Sequence, residues 1–170
     1  KARQFIQGYW FDRNSPGPHD NLTDCIVVVT GGSSGGLGCA GAILLAELGA
    51  DIIITTRSEA KGAAAVQEIR QYCRSELQKV HYVVLDLCSS ASIHAASEVI
   101  KQKCGGRLDV LVLNAGSNTD SAPEVWQGNY LGHFLLVELL RPLLESTSAK
   151  HGFSRIVAVS SGAHKRATIA

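Results

Sequence analysis

The sequence predicts an α/β protein with a doubly wound, mostly parallel sheet. Apolar runs of strand length alternate with segments of helix length, and almost no linker separates them. The runs, such as IVVV, IIIT and VLVL, are nearly continuous in apolar character, as expected for strands that helices cover on both faces. Right-handed crossovers between five such strands give the predicted strand order 3-2-1-4-5.

Five strands and four helices are predicted in alternation. The strands are expected at 25–30, 51–56, 80–86, 108–114 and 154–160. The helices are expected at about 36–48, 58–74, 90–103 and 123–147. One domain over 23–170 contains all of these elements, and residues 1–22, with Pro16, Gly17 and Pro18, form an irregular lead-in.

Composition and charge exclude several classes of function. Hydrophobic residues make up 45% of the 170 residues and charged residues 18%, which is typical of a globular domain with a real core. A net charge of +1 gives no electrostatic basis for binding nucleic acid. No apolar run reaches the length of a membrane span and no signal-like start is visible, so a cytoplasmic or cytoplasm-facing, membrane-associated protein is expected.

The five cysteines are widely spaced, odd in number and free of any C-x-x-C pair. They are Cys25, Cys39, Cys73, Cys88 and Cys104. Most lie beside apolar residues of predicted strands or helices, which favours reduced core thiols over a disulfide framework or a metal site. No metal is therefore predicted.

The first strand, turn and helix, over 25–50, predict a site for the phosphates of a dinucleotide. Glycines let the turn adopt positive φ and approach a ligand closely. The helix that starts near Leu37 directs free N–H groups and its positive dipole end at the phosphates. The turn glycines are Gly31, Gly32, Gly35, Gly36 and Gly38. A plain strand-to-helix turn is the alternative, but the strand before it and the helix after it favour a dinucleotide site.

The sequence of this turn resembles the signature of one enzyme family. The segment from Thr30 to Gly38, TGGSSGGLG, is similar to the TGxxxGxG signature of the short-chain dehydrogenases/reductases. It holds one residue more than the signature, so either Gly35 or Gly36 is an insertion. The resemblance implies a Rossmann-type fold, incomplete at its C-terminal side. The cofactor-binding residues that it implies in this turn are Gly31, Ser33, Ser34, Gly36, Leu37 and Gly38.

Two further motifs lie at the ends of the third and fourth predicted strands. Asp86-Leu87 ends YVVLDL, where the family uses an aspartate to accept from the adenine amino group. Asn114-Ala115-Gly116 matches the second half of the family's NNAG, with a leucine in place of the first asparagine. Each motif alone is also typical of an ordinary turn. Both lie at carboxyl ends of strands, where such folds bind ligands, so these residues are predicted to bind the cofactor.

The residues that end the second strand are expected to determine whether NAD(H) or NADP(H) is preferred. An NAD enzyme has an acidic residue there, but this chain reads Thr55-Thr56-Arg57-Ser58, and its aspartate, Asp51, is at the other end of the strand. The Arg57 guanidinium can bind a 2′-phosphate bidentately, and the hydroxyls of Thr56 and Ser58 can add donors. A solvated arginine at a helix start is the alternative. NADP(H) is therefore the predicted cofactor, with NAD(H) as the other possibility.

Two later motifs imply catalytic residues. Asn129 opens NYLGHFLL, which resembles the NxxGxF helix shared by retinol dehydrogenases, the WW-domain oxidoreductase and protochlorophyllide reductases. The resemblance implies that its backbone carbonyl holds a water of the proton relay, and it assigns no role to His133. The strand RIVAVSS resembles the family's RIVxVSS, whose second serine hydrogen-bonds the substrate oxygen. That role falls to Ser161, with Ser160 as the alternative.

The family's general acid/base pair is not found in the 170 residues. The family uses a tyrosine whose pKa is lowered by a lysine four residues later. The residues at that spacing after Tyr9, Tyr72, Tyr82 and Tyr130 are Arg13, Glu76, Asp86 and Phe134. The chain is therefore expected to be truncated before the pair.

The predicted function is that of an NADP(H)-dependent oxidoreductase, which moves a hydride between the nicotinamide and a carbonyl or alcohol substrate. The substrate is expected to be a small hydrophobic molecule, no nucleic acid is expected as a partner, and a homodimer is a further expectation for the complete protein. The alternative is a truncated, catalytically inactive dinucleotide-binding or interaction protein. A nucleotide-binding regulator outside the family would require the series of motifs to be coincidental.

Overall fold

Five parallel strands form one sheet in the computed structural model of the chain, which describes residues 21–119 and 121–162. The strands are β1 Ile26–Val29, β2 Asp51–Thr56, β3 Val80–Val84, β4 Val110–Leu113 and β5 Arg155–Ala158. Their order in the sheet is β3-β2-β1-β4-β5, so the predicted fold class and strand order are confirmed. The predicted lead-in falls almost entirely on residues 1–20, which lie outside the described residues.

Helices connect the strands in the predicted alternation. They are α1 Leu37–Glu47, α2 Glu59–Arg70, α3 Ser90–Cys104, α4 Ala122–Trp126 and α5 Gly132–His151. The helix predicted over 58–74 ends at Arg70, and the Gln78 side chain holds a turn after it by accepting from the N–H groups of Arg74 and Ser75. None of these helices is long and apolar enough to cross a membrane.

The single helix predicted over 123–147 is interrupted. Between α4 and α5, Gln127–Leu131 forms a π-helical turn, and α5 continues to His151. The hydrophobic period of a sequence does not report such a turn, because the turn widens a helix without ending it. Asn129 lies within this π-helical turn, so the interruption affects a predicted site residue directly.

Helices cover both faces of the sheet, and each face has its own apolar core. Successive strand residues point to opposite faces. Val28 and Ile53 therefore pack with α3 and α5, whereas Val27 and Ile52 pack with α1 and α2. This burial on two sides accounts for the nearly continuous apolar runs of the sequence.

A buried carboxylate joins the amino ends of β1 and β4. Asp109 is fully buried, and its Oδ2 accepts a hydrogen bond from the Ile26 N–H at 2.8 Å. Arg107 Nε lies 2.9 Å from each carboxylate oxygen and donates to them, and the arginine side chain is 26% exposed. These contacts stabilise the register that places Val27 opposite Val110.

Three cysteines are buried as predicted, and one departs from the prediction. Cys25, Cys39 and Cys104 are buried, Cys73 is half-buried and Cys88 is exposed. Burial raises the pKa of Cys39 to about 11 and that of Cys104 to about 12, so both thiols stay protonated at neutral pH. Cys88 is exposed because it lies in the turn between β3 and α3 rather than within either element.

Candidate functional site

A cleft of about 580 Å³ lies at the carboxyl ends of the strands. It spans the place where the strand order reverses, between β1 and β4, which is where open α/β sheets bind ligands. The turns that follow β1, β2, β3 and β4 all contribute to its wall, together with the π-helical turn. Segments that are far apart in the chain therefore face one volume.

The structure brings most of the predicted site residues to this cleft. The predicted residues that line it are Gly31, Ser33, Leu37, Arg57, Asp86, Leu87, Asn114, Ala115, Gly116 and Asn129. Those that do not line it are Ser34, Gly36, Gly38 and Ser161. Lys61, Cys88 and Ser117 line it although sequence reasoning assigned them no part in the site.

Gly31 brings the turn after β1 against the turn after β4. Its φ is +72°, in the left-handed region that favours glycine. A Cβ at this position would lie 2.8 Å from Ala115 Cα, closer than real Cβ atoms approach. Both the conformation and the close approach therefore require a glycine here.

Gly36 and Gly38 shape the start of α1 rather than the cleft wall. Gly36 is the N-cap residue, and a Cβ at Gly38 would lie 2.5 Å from the Gly31 carbonyl oxygen. The helix thus starts as G-x-G, and Gly35, directly before it, is exposed. Direct contact of Gly36 and Gly38 with a cofactor stays a prediction.

The two serines of the turn differ in their surroundings. Ser34 Oγ donates to Glu68 Oε2 at 2.6 Å, so this side chain ties the turn to α2. Ser33 lines the cleft, and its carbonyl oxygen accepts from the Gly36 N–H at 3.1 Å. Of the two serines, Ser33 lines the cleft and Ser34 does not.

Two cations lie at the end of β2. Arg57 and Lys61 both line the cleft and are exposed, and neither forms an ion pair within residues 21–119 and 121–162. Ser58 Oγ caps α2 by accepting from the Lys61 N–H at 3.3 Å. Thr56 Oγ1 donates to the Ser58 carbonyl oxygen at 2.8 Å. Both residues line the cleft, and donation from their hydroxyls to a 2′-phosphate stays a prediction.

Asp86 shapes the turn that follows β3. Its Oδ1 accepts from the Cys88 N–H at 2.9 Å, and its own N–H donates to Ser92 Oγ at 2.9 Å. The carboxylate is held in place beside the cleft by these bonds. The turn-forming role and the predicted ligand-binding role thus belong to the same residue.

Thr30, which sequence reasoning did not single out as a site residue, joins the turns after β1 and β4. Its hydroxyl oxygen accepts from the N–H groups of Asn114 at 2.9 Å and Ala115 at 3.0 Å. The Asn114 side chain returns a bond of 2.9 Å from Nδ2 to the Thr30 carbonyl oxygen. The signals for this role in the sequence are the position of Thr30, directly between the apolar strand and the first glycine, and its place as the first residue of the TGxxxGxG signature.

Asn129 is fixed by a pair of hydrogen bonds to one residue. The Ser117 N–H donates to Asn129 Oδ1 at 2.9 Å, and Asn129 Nδ2 donates to the Ser117 carbonyl oxygen at 2.8 Å. A Cβ at Gly132 would overlap the carbonyl oxygen of Leu87, so the glycine lets the helix lie against the turn after β3. The π-helical turn is therefore bonded to the segment after β4 through Ser117, and the residue that follows it, Gly132, packs against the turn after β3.

Ser161 lies apart from these residues. It is exposed in the segment that follows β5, and it does not line the cleft. Ser161 lies away from the cleft because it follows β5, which is the edge strand of the described sheet. Its predicted contact with a substrate stays a prediction.

The sequence matches a family model described as short chain dehydrogenase over residues 25–170. The match covers every strand and helix that builds the cleft. The chain belongs to the short-chain dehydrogenase family. The family predicted from the turn and helix motifs is therefore confirmed.

Curated relatives place the chain in the retinol dehydrogenase-like part of the short-chain dehydrogenase family. It is 37% identical over 151 residues to human dehydrogenase/reductase SDR family member 13, covering 86% of this chain and 38% of that protein. It is 34% identical over 150 residues to mouse polyprenol dehydrogenase, covering 84% of this chain and 44% of that protein. The chain thus spans less than half the length of these relatives.

A solved short-chain dehydrogenase shares the fold. The crystal structure of a metagenomic short-chain oxidoreductase in complex with NADP matches with a TM-score of 0.68 and 28% sequence identity. The match covers 82% of this chain and 63% of that one. The described sheet and helices are therefore part of a larger fold in that relative.

Proposed function

We propose that this chain supplies the dinucleotide-binding part of an NADP(H)-dependent oxidoreductase that acts on a carbonyl or alcohol. The observation that carries the proposal is that one cleft is lined by the glycine turn, by Arg57 and Lys61, and by Asn129 of the π-helical turn. Its volume of about 580 Å³ lies in the range typical of ligand sites, about 300–1,000 Å³. Membership of the short-chain dehydrogenase family supports the same activity.

The adenosine end of the cleft favours NADP(H) over NAD(H). Arg57 and Lys61, four positions apart in the sequence, line it around the start of α2, where Ser58 caps the helix. A 2′-phosphate at this place would meet a planar guanidinium, an ammonium and a helix N-terminus, all of which stabilise an anion. The complex of the metagenomic relative with NADP supports this assignment.

The remaining lining residues fit the other parts of a dinucleotide. Gly31 and Ser33, with the start of α1, are suited to the pyrophosphate. Asp86 is suited to accept from an adenine amino group. We assign Asn114-Ala115-Gly116 to the nicotinamide side, because the next residue, Ser117, is bonded to Asn129 and all of them line the same cleft.

Hydride transfer is the chemistry that a nicotinamide cofactor supplies when bound. In the proposed enzyme the Asn129 carbonyl orders a relay water and Ser161 hydrogen-bonds the substrate oxygen. The tyrosine and lysine that move the proton in this family are not among the 170 residues. A hydrophobic substrate, a homodimer and a cytoplasm-facing location stay predictions.

A second candidate function is dinucleotide binding without catalysis. None of the four tyrosines in the sequence is followed by a lysine four residues later. A phenol without such a partner has a pKa near 10 and is a poor base at neutral pH. The 170-residue chain on its own would then be a binding protein.

The 170-residue chain is expected to bind NADPH weakly and not to oxidise it with an aldehyde present. Titration calorimetry with NADPH, NADP⁺, NADH and NAD⁺ measures binding, and the loss of NADPH absorbance measures turnover. Absence of binding to all four at millimolar concentration would contradict the proposed function. If the chain, freed of contaminating reductases, oxidises NADPH with the aldehyde, the requirement for a catalytic tyrosine is contradicted.

Replacing Arg57 by alanine is expected to weaken NADPH binding by about 1.5–3 kcal/mol, the worth of hydrogen bonds to a charged group. NADH affinity should stay nearly unchanged, because NADH has no 2′-phosphate. Isothermal titration of both cofactors measures the difference. Arg70→Ala, at the far end of α2, is the matched control and should affect neither. Equal losses of NADPH and NADH affinity would show that Arg57 supports the fold and does not bind the 2′-phosphate.

A further inference from the structure

His133 is a buried polar residue that lies between two parts of the site. It is in the first turn of α5 and only 6% exposed. Nε2 lies 2.9 Å from Thr30 Oγ1, and Nδ1 lies 3.0 Å from the Asn129 carbonyl oxygen. The imidazole therefore connects the end of β1 to the π-helical turn.

The partners of the ring determine its tautomer. The Asn129 carbonyl oxygen can only accept, so Nδ1 carries a proton and donates it. Thr30 Oγ1 already accepts two backbone N–H groups, so it has a proton to give and little capacity to accept a third bond. Nε2 is the acceptor of that proton, because the other acceptor in reach, the Val112 carbonyl oxygen, is 3.4 Å away.

The surroundings of His133 favour the neutral ring. Burial lowers the pKa of His133, and its bond to the Asn129 carbonyl opposes this only in part. A second ring proton, on Nε2, would also point at the Thr30 hydroxyl oxygen, which already accepts two hydrogen bonds. The neutral ring with hydrogen on Nδ1 satisfies every one of these contacts.

The bonds form one continuous chain across the nicotinamide side of the cleft. It runs from the N–H groups of Asn114 and Ala115 to the Thr30 hydroxyl, then through the His133 ring to the Asn129 carbonyl. Asn114, Ala115 and Asn129 all line the cleft, whereas His133 does not. The imidazole thus does not line the cleft itself but is bonded to Asn129, which does.

We propose that His133 is a positioning residue, which as the Nδ1–H tautomer aligns the Asn129 carbonyl with the turn formed by residues 114–116. The inference rests on the proposed function, since it assigns this side of the cleft to the nicotinamide. An apolar side chain of similar size would fill the same space but would leave the Asn129 carbonyl and the Thr30 hydroxyl without this common partner. The adenosine end, at Arg57 and Lys61, is outside the chain of bonds.

The test compares two ligands on the wild-type 170-residue chain, His133→Phe and His133→Gln. The ligand 2′,5′-ADP occupies only the adenosine end, whereas NADPH occupies both ends. His133→Phe removes both ring hydrogen bonds, so it should lower NADPH affinity about tenfold and change 2′,5′-ADP affinity less than about twofold. His133→Gln can donate from its amide nitrogen and accept at its amide oxygen, so it should restore most of the NADPH affinity.

A measurement on the unaltered protein accompanies the variants. The ¹⁵N spectrum of the imidazoles, with the His133 signal assigned from its loss in His133→Gln, should show a neutral ring protonated on Nδ1 at pH 7. A ring protonated on Nε2, or an imidazolium, would overturn the inference. Equal losses of both ligands in His133→Phe, or no loss of either, would overturn it as well. Wild-type chain that binds neither ligand would overturn the proposed function and this inference together.

Discussion

Replacing Gly31 by alanine is expected to destabilise the fold by about 2–5 kcal/mol. A left-handed conformation costs an alanine about 1–2 kcal/mol, and Gly31 has a φ of +72°. Forcing a methyl group into a packed contact costs about 1–3 kcal/mol more, and here the Cβ would lie 2.8 Å from Ala115 Cα. Urea unfolding followed by circular dichroism measures the sum.

The same substitution should reduce NADPH affinity more than tenfold, a loss of about 1.4 kcal/mol or more. The clash is with backbone, so it can be relieved only by moving the turn after β1 away from the turn after β4, and both line the cleft. Gly41→Ala is the matched control. A Cβ at Gly41 meets nothing within 4 Å, so alanine within α1 should raise stability by about 0.5–1 kcal/mol and leave binding unchanged. Gly31→Ala protein with wild-type stability and affinity would contradict the close approach of the two turns.

Replacing Asp109 by alanine is expected to lower the free energy of unfolding by about 2–4 kcal/mol. The carboxylate is fully buried, and its loss leaves the Ile26 N–H without its acceptor and Arg107 without its partner. The estimate is below that for a fully buried pair because the Arg107 side chain is 26% exposed and can turn to water. Chemical denaturation of the two proteins side by side measures the difference.

An exposed ion pair provides the comparison for Asp109. Glu138 and Arg141 pair at 3.1 Å on α5 with side chains 41% and 54% exposed. Glu138→Ala should cost less than about 1 kcal/mol, because water and salt screen such pairs. A larger loss for Glu138→Ala than for Asp109→Ala would show that burial does not determine the strength of these contacts here.

Much of the site is determined by local sequence. Gly31, Asp86 and Asn114 each follow an apolar run at a distance of only a residue or two, which places them at the carboxyl ends of strands. Parallel strands bring those ends to one edge of the sheet. These three residues are therefore expected at a common cleft from the sequence alone, and all three line it.

Contacts between distant residues could not be predicted in this way. Ser34, which the motif assigns to the cofactor, is bonded to Glu68 across 34 positions of the chain. Lys61 reaches the cleft although no motif names it, and the π-helical turn at Asn129 is invisible to the hydrophobic period. Each of these depends on how one element packs against another.

The sequence by itself determined the family, through its motifs, and the strand order, through its apolar period, because both are properties of short segments. Four of the five predicted strands extend one or two residues past their observed ends. Only the tertiary structure decided which polar groups are satisfied by one another. The bond between Thr30 and His133 joins residues 103 positions apart, and it exists because α5 and β1 pack on a common core. A buried polar group needs a hydrogen-bond partner, and no local pattern in the sequence records which partner it finds.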